Sequence, residues 1–250
     1  LKQVRHLLGF IEPLLQALLP QHADITLVDH GAGKSYLGFM LYDAFFKTQA
    51  RQGQVIGVET RAELVARSQE LAARMGFDGM RFLPLSVAQA AHSSELPARI
   101  DVVTALHACD TATDDAIAFG LQHQAQHIVI VPCCQAELAA HLRAVKSAAV
   151  HNNPLFELWR RPLHTREFGS HFTNVLRCLQ LEAHGYQVSV TELVGWEHSM
   201  KNELIVATRG AGPARKSAAR LNEMLETLGL SEMRTRYFTP LLESQSQTQI

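Results

Sequence analysis

Asp29, Gly31 and Gly33 sit in VDHGAGKSYL (28–37), where an acid and two closely spaced glycines run into Lys34 and Ser35. Glycines at this spacing let a backbone turn tightly beneath a ligand, and the acid accepts hydrogen bonds from hydroxyl or ammonium donors. A triphosphate loop would need a glycine five positions before the glycine of Gly-Lys-Ser, so that successive N–H groups wrap the phosphates. That position is Val28. A dinucleotide turn would need a third glycine where Tyr36 stands, close against the strand. The pattern that remains is a nucleoside cofactor without a pyrophosphate, cradled by Asp29, His30, Gly31, Ala32 and Gly33. Lys34 is left over: a lysine at a helix start opposes the local dipole, so it is expected to reach an anion or an acidic side chain.

Further chemistry-bearing residues follow apolar runs. Glu59 and Thr60 end QVIGVET, which puts an acid and a hydroxyl at the end of the second run. Leu85, Ser86 and Val87 are placed to flank an adenine, though plain loop filling explains them equally well. Leu106 and His107 open ALHACDTATD (105–114), which also holds Asp110 and Asp114. His107 suits a general base taking a proton from a hydroxyl acceptor, since histidine titrates near neutrality. The alternative is that it only hydrogen-bonds the cofactor or the turn. Asp110 and Asp114 join it as candidate catalytic residues, while the Thr113-Asp114 pair also suits a helix cap. Cys133 and Cys134 admit a nucleophile, a metal ligand pair with His107 and Cys109, or small buried thiols. The last is favoured, because adjacent cysteines chelate one tetrahedral ion poorly, so no metal is expected.

Seven β-branched runs must position these groups: 25–29, 54–59, 80–86, 100–108, 127–133, 186–194 and 203–209. Helix-periodic stretches lie between most of them, among them RAELVARSQELAARMGF, which closes near Gly76. This predicts an α/β fold with a seven-stranded, mostly parallel, Rossmann-like sheet and helices on both faces. Only GWEHSMKN (195–202) separates the last two strands, too few residues for a parallel crossover, so one strand is antiparallel. In a parallel sheet the C-terminal strand ends share one edge, so Asp29, Glu59, Ser86, His107 and Cys133 are expected to open onto one crevice. The segment around Pro154 and Pro162 is where a substrate-facing insertion would sit, ahead of a helix over 170–185. His171, Asn174, Arg160, Arg161 and Arg166 are candidates for the acceptor side. The expected domains are an N-terminal docking helix (1–21), a cofactor-binding domain (22–209) and a helical appendage with a frayed end (210–250).

Composition narrows the partners. The 250 residues carry a net charge of −1 with a pI of about 7.0, so no overall field draws nucleic acid, and any basic footprint must be local, as in WRRPLHTR (159–166). The densest apolar stretch, residues 7–20, is interrupted by Glu12 and Pro13 and reads as a buried or docking helix, not a membrane span. No small-residue cleavage site follows a basic flank, which predicts no signal peptide. Four cysteines at these spacings make no disulfide framework, which fits reduced thiols and a cytoplasmic location.

Taken together, the residues resemble the class I S-adenosylmethionine-dependent methyltransferases over roughly 22–209. In that family the first strand ends in an acid followed by Gly-x-Gly, as Asp29, Gly31 and Gly33 do; the frequent third glycine is Ser35 here. The acid ending the second strand holds the ribose, and Glu59 stands there; the last hairpin is also typical. The resemblance implies S-adenosyl-L-methionine as cofactor. GAGKSYL, ALHACDTATD and VPCCQ are further similar to a branch containing the tRNA ribose 2′-O-methyltransferase of the acceptor stem, the methyltransferase-like twenty-five proteins and the glutathione S-transferase C-terminal-domain-containing protein. His107, Cys109, Ala112, Thr113, Asp114, Cys133 and Cys134 match that branch by position. Asp110 departs from it, standing where the tRNA enzymes tend to have glycine, and no second His pair follows Cys134. The branch implies an RNA acceptor; a protein acceptor and a non-catalytic cofactor-binding or partner-binding module are the alternatives.

Overall fold

The computed structural model describes residues 2–106, 108, 110–132, 135–144, 152, 154–193, 203–210, 212 and 215–238. Seven strands form one sheet: β1 (Thr26–His30), β2 (Gln54–Val58), β3 (Met80–Leu83), β4 (Val102–Leu106), β5 (His127–Val131), β6 (Tyr186–Glu192) and β7 (Glu203–Arg209). Their spatial order is β3-β2-β1-β4-β5-β7-β6. β1 to β5 pair in parallel, and β7 runs antiparallel to both β5 and β6. The antiparallel hairpin expected from the short 195–202 connection is therefore present, although that connection lies outside the described residues.

The alternation of strand side chains divides the core in two. Leu27, Val55, Val102 and Val129 face a cluster built with α1 (Lys2–Leu18), α2 (Tyr36–Leu41) and α3 (Ala62–Met75). Val28, Ile56, Val103 and Ile128 face the other side, where α4 (Val87–Ala90) and α5 (Thr111–Gln122) pack. In α1, Leu7, Ile11, Leu15 and Leu18 fall on one buried stripe, each contributing about 2 kcal/mol by leaving water. The helix continues through Pro13. Among the described residues, no helix is long and apolar enough to cross a membrane.

A third cluster lies at the far end of the chain. Leu138 and Leu142 of α6 (Glu137–Ala144), Phe172 and Leu176 of α7 (Pro162–Ala183), and Leu221 and Leu225 of α8 (Arg215–Thr227) are buried together. Gly169 lets α6 and α7 approach, since a Cβ there would meet Ala139 at 2.9 Å.

Two boundaries differ from expectation by more than two residues. β3 stops at Leu83 instead of 86, because Pro84 has no N–H for the ladder and Ser86 already caps α4. The helix expected from 170 starts at Pro162, which suits a first-turn position where no N–H bond is needed.

Candidate functional site

The C-terminal ends of β1, β2 and β4 form the edge on which the glycine turn sits. Asp29 pairs in register with Gly57 on β2 and Thr104 on β4. Beyond His30 the chain turns through three left-handed residues, Gly31 (φ 66°), Gly33 (φ 57°) and Ser35 (φ 51°). Ser35 thus adopts the conformation that glycine takes at no steric cost. Its hydroxyl is buried without a hydrogen-bond partner. A Cβ at Gly31 would stand 3.6 Å from the Ala108 backbone, so the turn lies against the loop after β4. Gly57 completes the close packing: a Cβ there would strike the Phe82 ring at 2.8 Å.

Glu59 follows β2 directly and reaches back under this turn. Gly33 N–H donates to its Oε2 at 2.8 Å. Arg61 donates to the same carboxylate from its N–H (3.0 Å), Nε (2.9 Å) and Nη2 (3.1 Å), and the Thr60 hydroxyl adds a bond at 3.3 Å. The Arg61 hydrogen bonds, with help from Gly33 N–H, hold the carboxyl down to about 2 against the opposing effect of burial. Glu59 is therefore an anion across the physiological range.

Asp29 is different. It is buried, and burial pushes its carboxyl up to about 7, against the pull of the Thr104 hydroxyl at 2.6 Å. Unfolded, the same group titrates near 4. The native protein therefore holds the proton more tightly, and stability present below about pH 4 is lost as pH rises toward 7. Asp29→Asn is expected to be neutral at pH 4 and to raise unfolding free energy at pH 8 by up to about 4 kcal/mol, from the pKa difference. Urea unfolding of both proteins at the two pH values checks this, and equal stabilities at pH 8 would refute it.

The other expected contacts sort by exposure. The His30 ring is fully buried edge-on to Phe119, at 4.4 Å between centroids, with neither nitrogen hydrogen-bonded. Burial lowers its pKa to about 3, so a ligand could meet only its backbone. Ala32, Leu85, Ser86 and Leu106 are half-buried, and Val87 is buried. The Ser86 hydroxyl and N–H are both used in a capping box with Gln89. Val87, as the first residue of α4, keeps an N–H with no acceptor within the helix. Lys34 is exposed and pairs with no acidic side chain among the described residues, so the expected acid is not there.

Asp110 and Asp114 are both engaged by other parts of the chain. Asp114 forms a bidentate pair with Arg177 of α7, Nε to Oδ1 and Nη2 to Oδ2 both at 2.8 Å, with exposures of 5% and 0%. Asp110 accepts from the N–H groups of Ala136 and Glu137 and so caps α6, while its carbonyl accepts from Arg177 Nη2. Both oxygens of Asp114 are thus taken by Arg177, and Oδ1 of Asp110 by the start of α6. Asp110 also has φ 52°, which explains why glycine suits this position. Arg177 further donates to Asn174, whose amide accepts from Gln135 and donates to Glu203. Of the acceptor-side candidates, Asn174 is in this buried network; His171, Arg160, Arg161 and Arg166 are exposed.

His107, Cys109, Cys133 and Cys134 lie outside the described residues. The sequence reading missed Arg61 and Arg177. Arg177 carries a signal in retrospect, since Thr173, Asn174 and Gln180 share its helical face and all are buried polar residues.

An acid at the end of β2, a left-handed glycine turn after β1 and a parallel sheet closed by an antiparallel hairpin define the S-adenosylmethionine-dependent methyltransferase class. The sequence profile described as "Methyltransferase domain" matches residues 1–141, so α1 falls within the match. The chain belongs to that family, and S-adenosylmethionine is its cofactor. No curated protein matches the sequence. Solved structures agree on the fold. A candidate O-methyltransferase from Klebsiella pneumoniae superposes with a TM-score of 0.52 at 13% identity, over 82% of this chain and 79% of that one. A candidate rRNA methylase from Clostridium thermocellum gives 0.51 at 11% identity, over 76% and 89%.

The residues fit the cofactor on their own chemistry. Glu59 would hold the ribose, the Gly31 and Gly33 turn would admit the methionine end to close backbone approach, and Leu85, Val87 and the Val87 N–H would meet the adenine.

Proposed function

We propose that this methyltransferase acts on RNA. The observation that carries the reading is a local basic surface. Arg160, Arg161, His164 and Arg166 are all exposed around the start of α7. Further along the same helix, Ser170 and Arg177 bond to residues of the loops after β5 and β4. Eight residues of helix separate Pro162 from Ser170, about 12 Å, which supports reading these cations as a rim that an incoming polyanion would meet. Arg160 and Arg166 pair with Glu157 and Glu167 on the surface, where such pairs exchange readily for phosphate. The positional match of ALHACDTATD and VPCCQ to the branch that implies an RNA acceptor supports the same reading, and the absence of a disulfide framework in the spacing of the four cysteines supports a cytoplasmic location.

S-adenosylmethionine supplies an electrophilic methyl group. The chain's task is to hold donor and acceptor in line, which can contribute most of the acceleration. For a hydroxyl acceptor, His107 is the residue whose chemistry fits removal of the proton. Exposed Leu158 and Leu163 beside the same arginines favour a protein acceptor as the second reading. Labelled S-adenosylmethionine incubated with separated RNA and protein fractions of a host extract decides between them. Label in RNA is expected. Label in protein alone would favour the second reading, and no label with intact cofactor binding would make the chain a binding module.

A further inference from the structure

Glu59 is fully supplied with donors before any ligand arrives. Its oxygens take the backbone N–H groups of Gly33 and Arg61, at 2.8 and 3.0 Å, and the Nε and Nη2 of the Arg61 guanidinium, at 2.9 and 3.1 Å. A carboxylate offers about four acceptor positions, so these four donors, with the longer Thr60 hydroxyl bond at 3.3 Å beside them, leave none open. The two backbone donors are fixed by the glycine turn and by the start of α3. The guanidinium is removable: its side chain is 59% exposed and makes no capping bond to the helix. It also lies over the turn, with Nη2 3.7 Å from where a Gly33 Cβ would stand.

A guanidinium fork presents two donors spaced for the two oxygens of a carboxylate. The vicinal diol of a ribose presents two donors to the same pair. We infer that Arg61 sets the cofactor affinity of this enzyme by standing in the ribose place on Glu59, and that it must swing away when the nucleoside binds. The inference rests on Glu59 being the ribose acceptor. Glu63, in the first turn of α3, attracts the Arg61 guanidinium as well, though less than Glu59 does. Because the competitor is a partly exposed ion pair, salt weakens it.

Calorimetry with S-adenosylhomocysteine tests this, since that ligand has no net charge at neutral pH and responds weakly to salt itself. Wild type, Arg61→Gln, Arg61→Lys and Glu59→Gln are compared at about 20 mM and about 300 mM salt. Arg61→Gln is expected to bind about 1.5-fold to fivefold tighter at low salt, the range for loss of an exposed pair. Wild type should tighten as salt rises while Arg61→Gln does not, and Arg61→Lys should fall between them. Circular dichroism confirms that each variant folds. Equal or weaker binding by Arg61→Gln, with Glu59→Gln weakened, would overturn the inference and leave Glu59 on the ribose. Unchanged binding by Glu59→Gln would instead remove the ribose reading beneath it.

Discussion

Glu59→Ala lowers affinity for S-adenosylmethionine by about tenfold to a hundredfold, because two hydrogen bonds to a charged acceptor are lost. The loss is smaller than the sum of the two bonds. In the variant no guanidinium has to leave before the ribose enters, which returns part of the free energy. Folding is expected to survive, since most of the donors that Glu59 satisfies reach solvent: Arg61 is largely exposed, and Gly33 is only half-buried. Isothermal calorimetry reads the change directly, and an unchanged dissociation constant would take Glu59 off the ribose. Because its carboxyl titrates at about 2, binding should not vary between pH 6 and 8 on account of this residue.

Arg177→Met is the variant with the largest effect on stability. Arg177 is fully buried and makes both bonds to Asp114, one to the Asp110 carbonyl and one to Asn174. Removing it leaves a carboxylate buried without a counter-charge, which costs about 3–5 kcal/mol. For a chain of this size that lowers the melting temperature by about 6–20 °C. The same change frees the Asp110 turn, which holds φ 52° under the joint grip of Arg177 and the start of α6. Arg177→Met with Asp114→Leu should recover much of the loss, since no lone charge remains. A single Arg177→Met variant as stable as wild type would show that the pair does not hold these loops together.

The parts legible in the sequence were those fixed by local rules. Glycines at 31 and 33 and the acid at 59 stand where backbone shape and strand ends require them, and eight residues between two strands left only a hairpin. Gly76 ends α3 with φ 65° for the same local reason. What could not be read depends on partners distant in the chain. Asp114 reads locally as a catalytic candidate or a cap, and nothing near it in sequence announces its bond to an arginine 63 residues on. Asp110 caps a helix that starts 27 residues later. Gly169 resembles a helix breaker until Ala139 is seen against it. Arg61 was near enough to notice, yet charge pairs at this spacing are common on surfaces, and only the crowded carboxylate distinguishes it.

One placement is central to cofactor binding, the ribose on Glu59 beneath the glycine turn. A crystal structure with S-adenosylhomocysteine bound tests it most directly. The prediction is that both ribose hydroxyls donate to the Glu59 carboxylate, with the Arg61 guanidinium moved off toward Glu63 and the amino-acid end over Gly31 and Gly33. A ligand bound with its ribose elsewhere, and Arg61 still on Glu59, would contradict it.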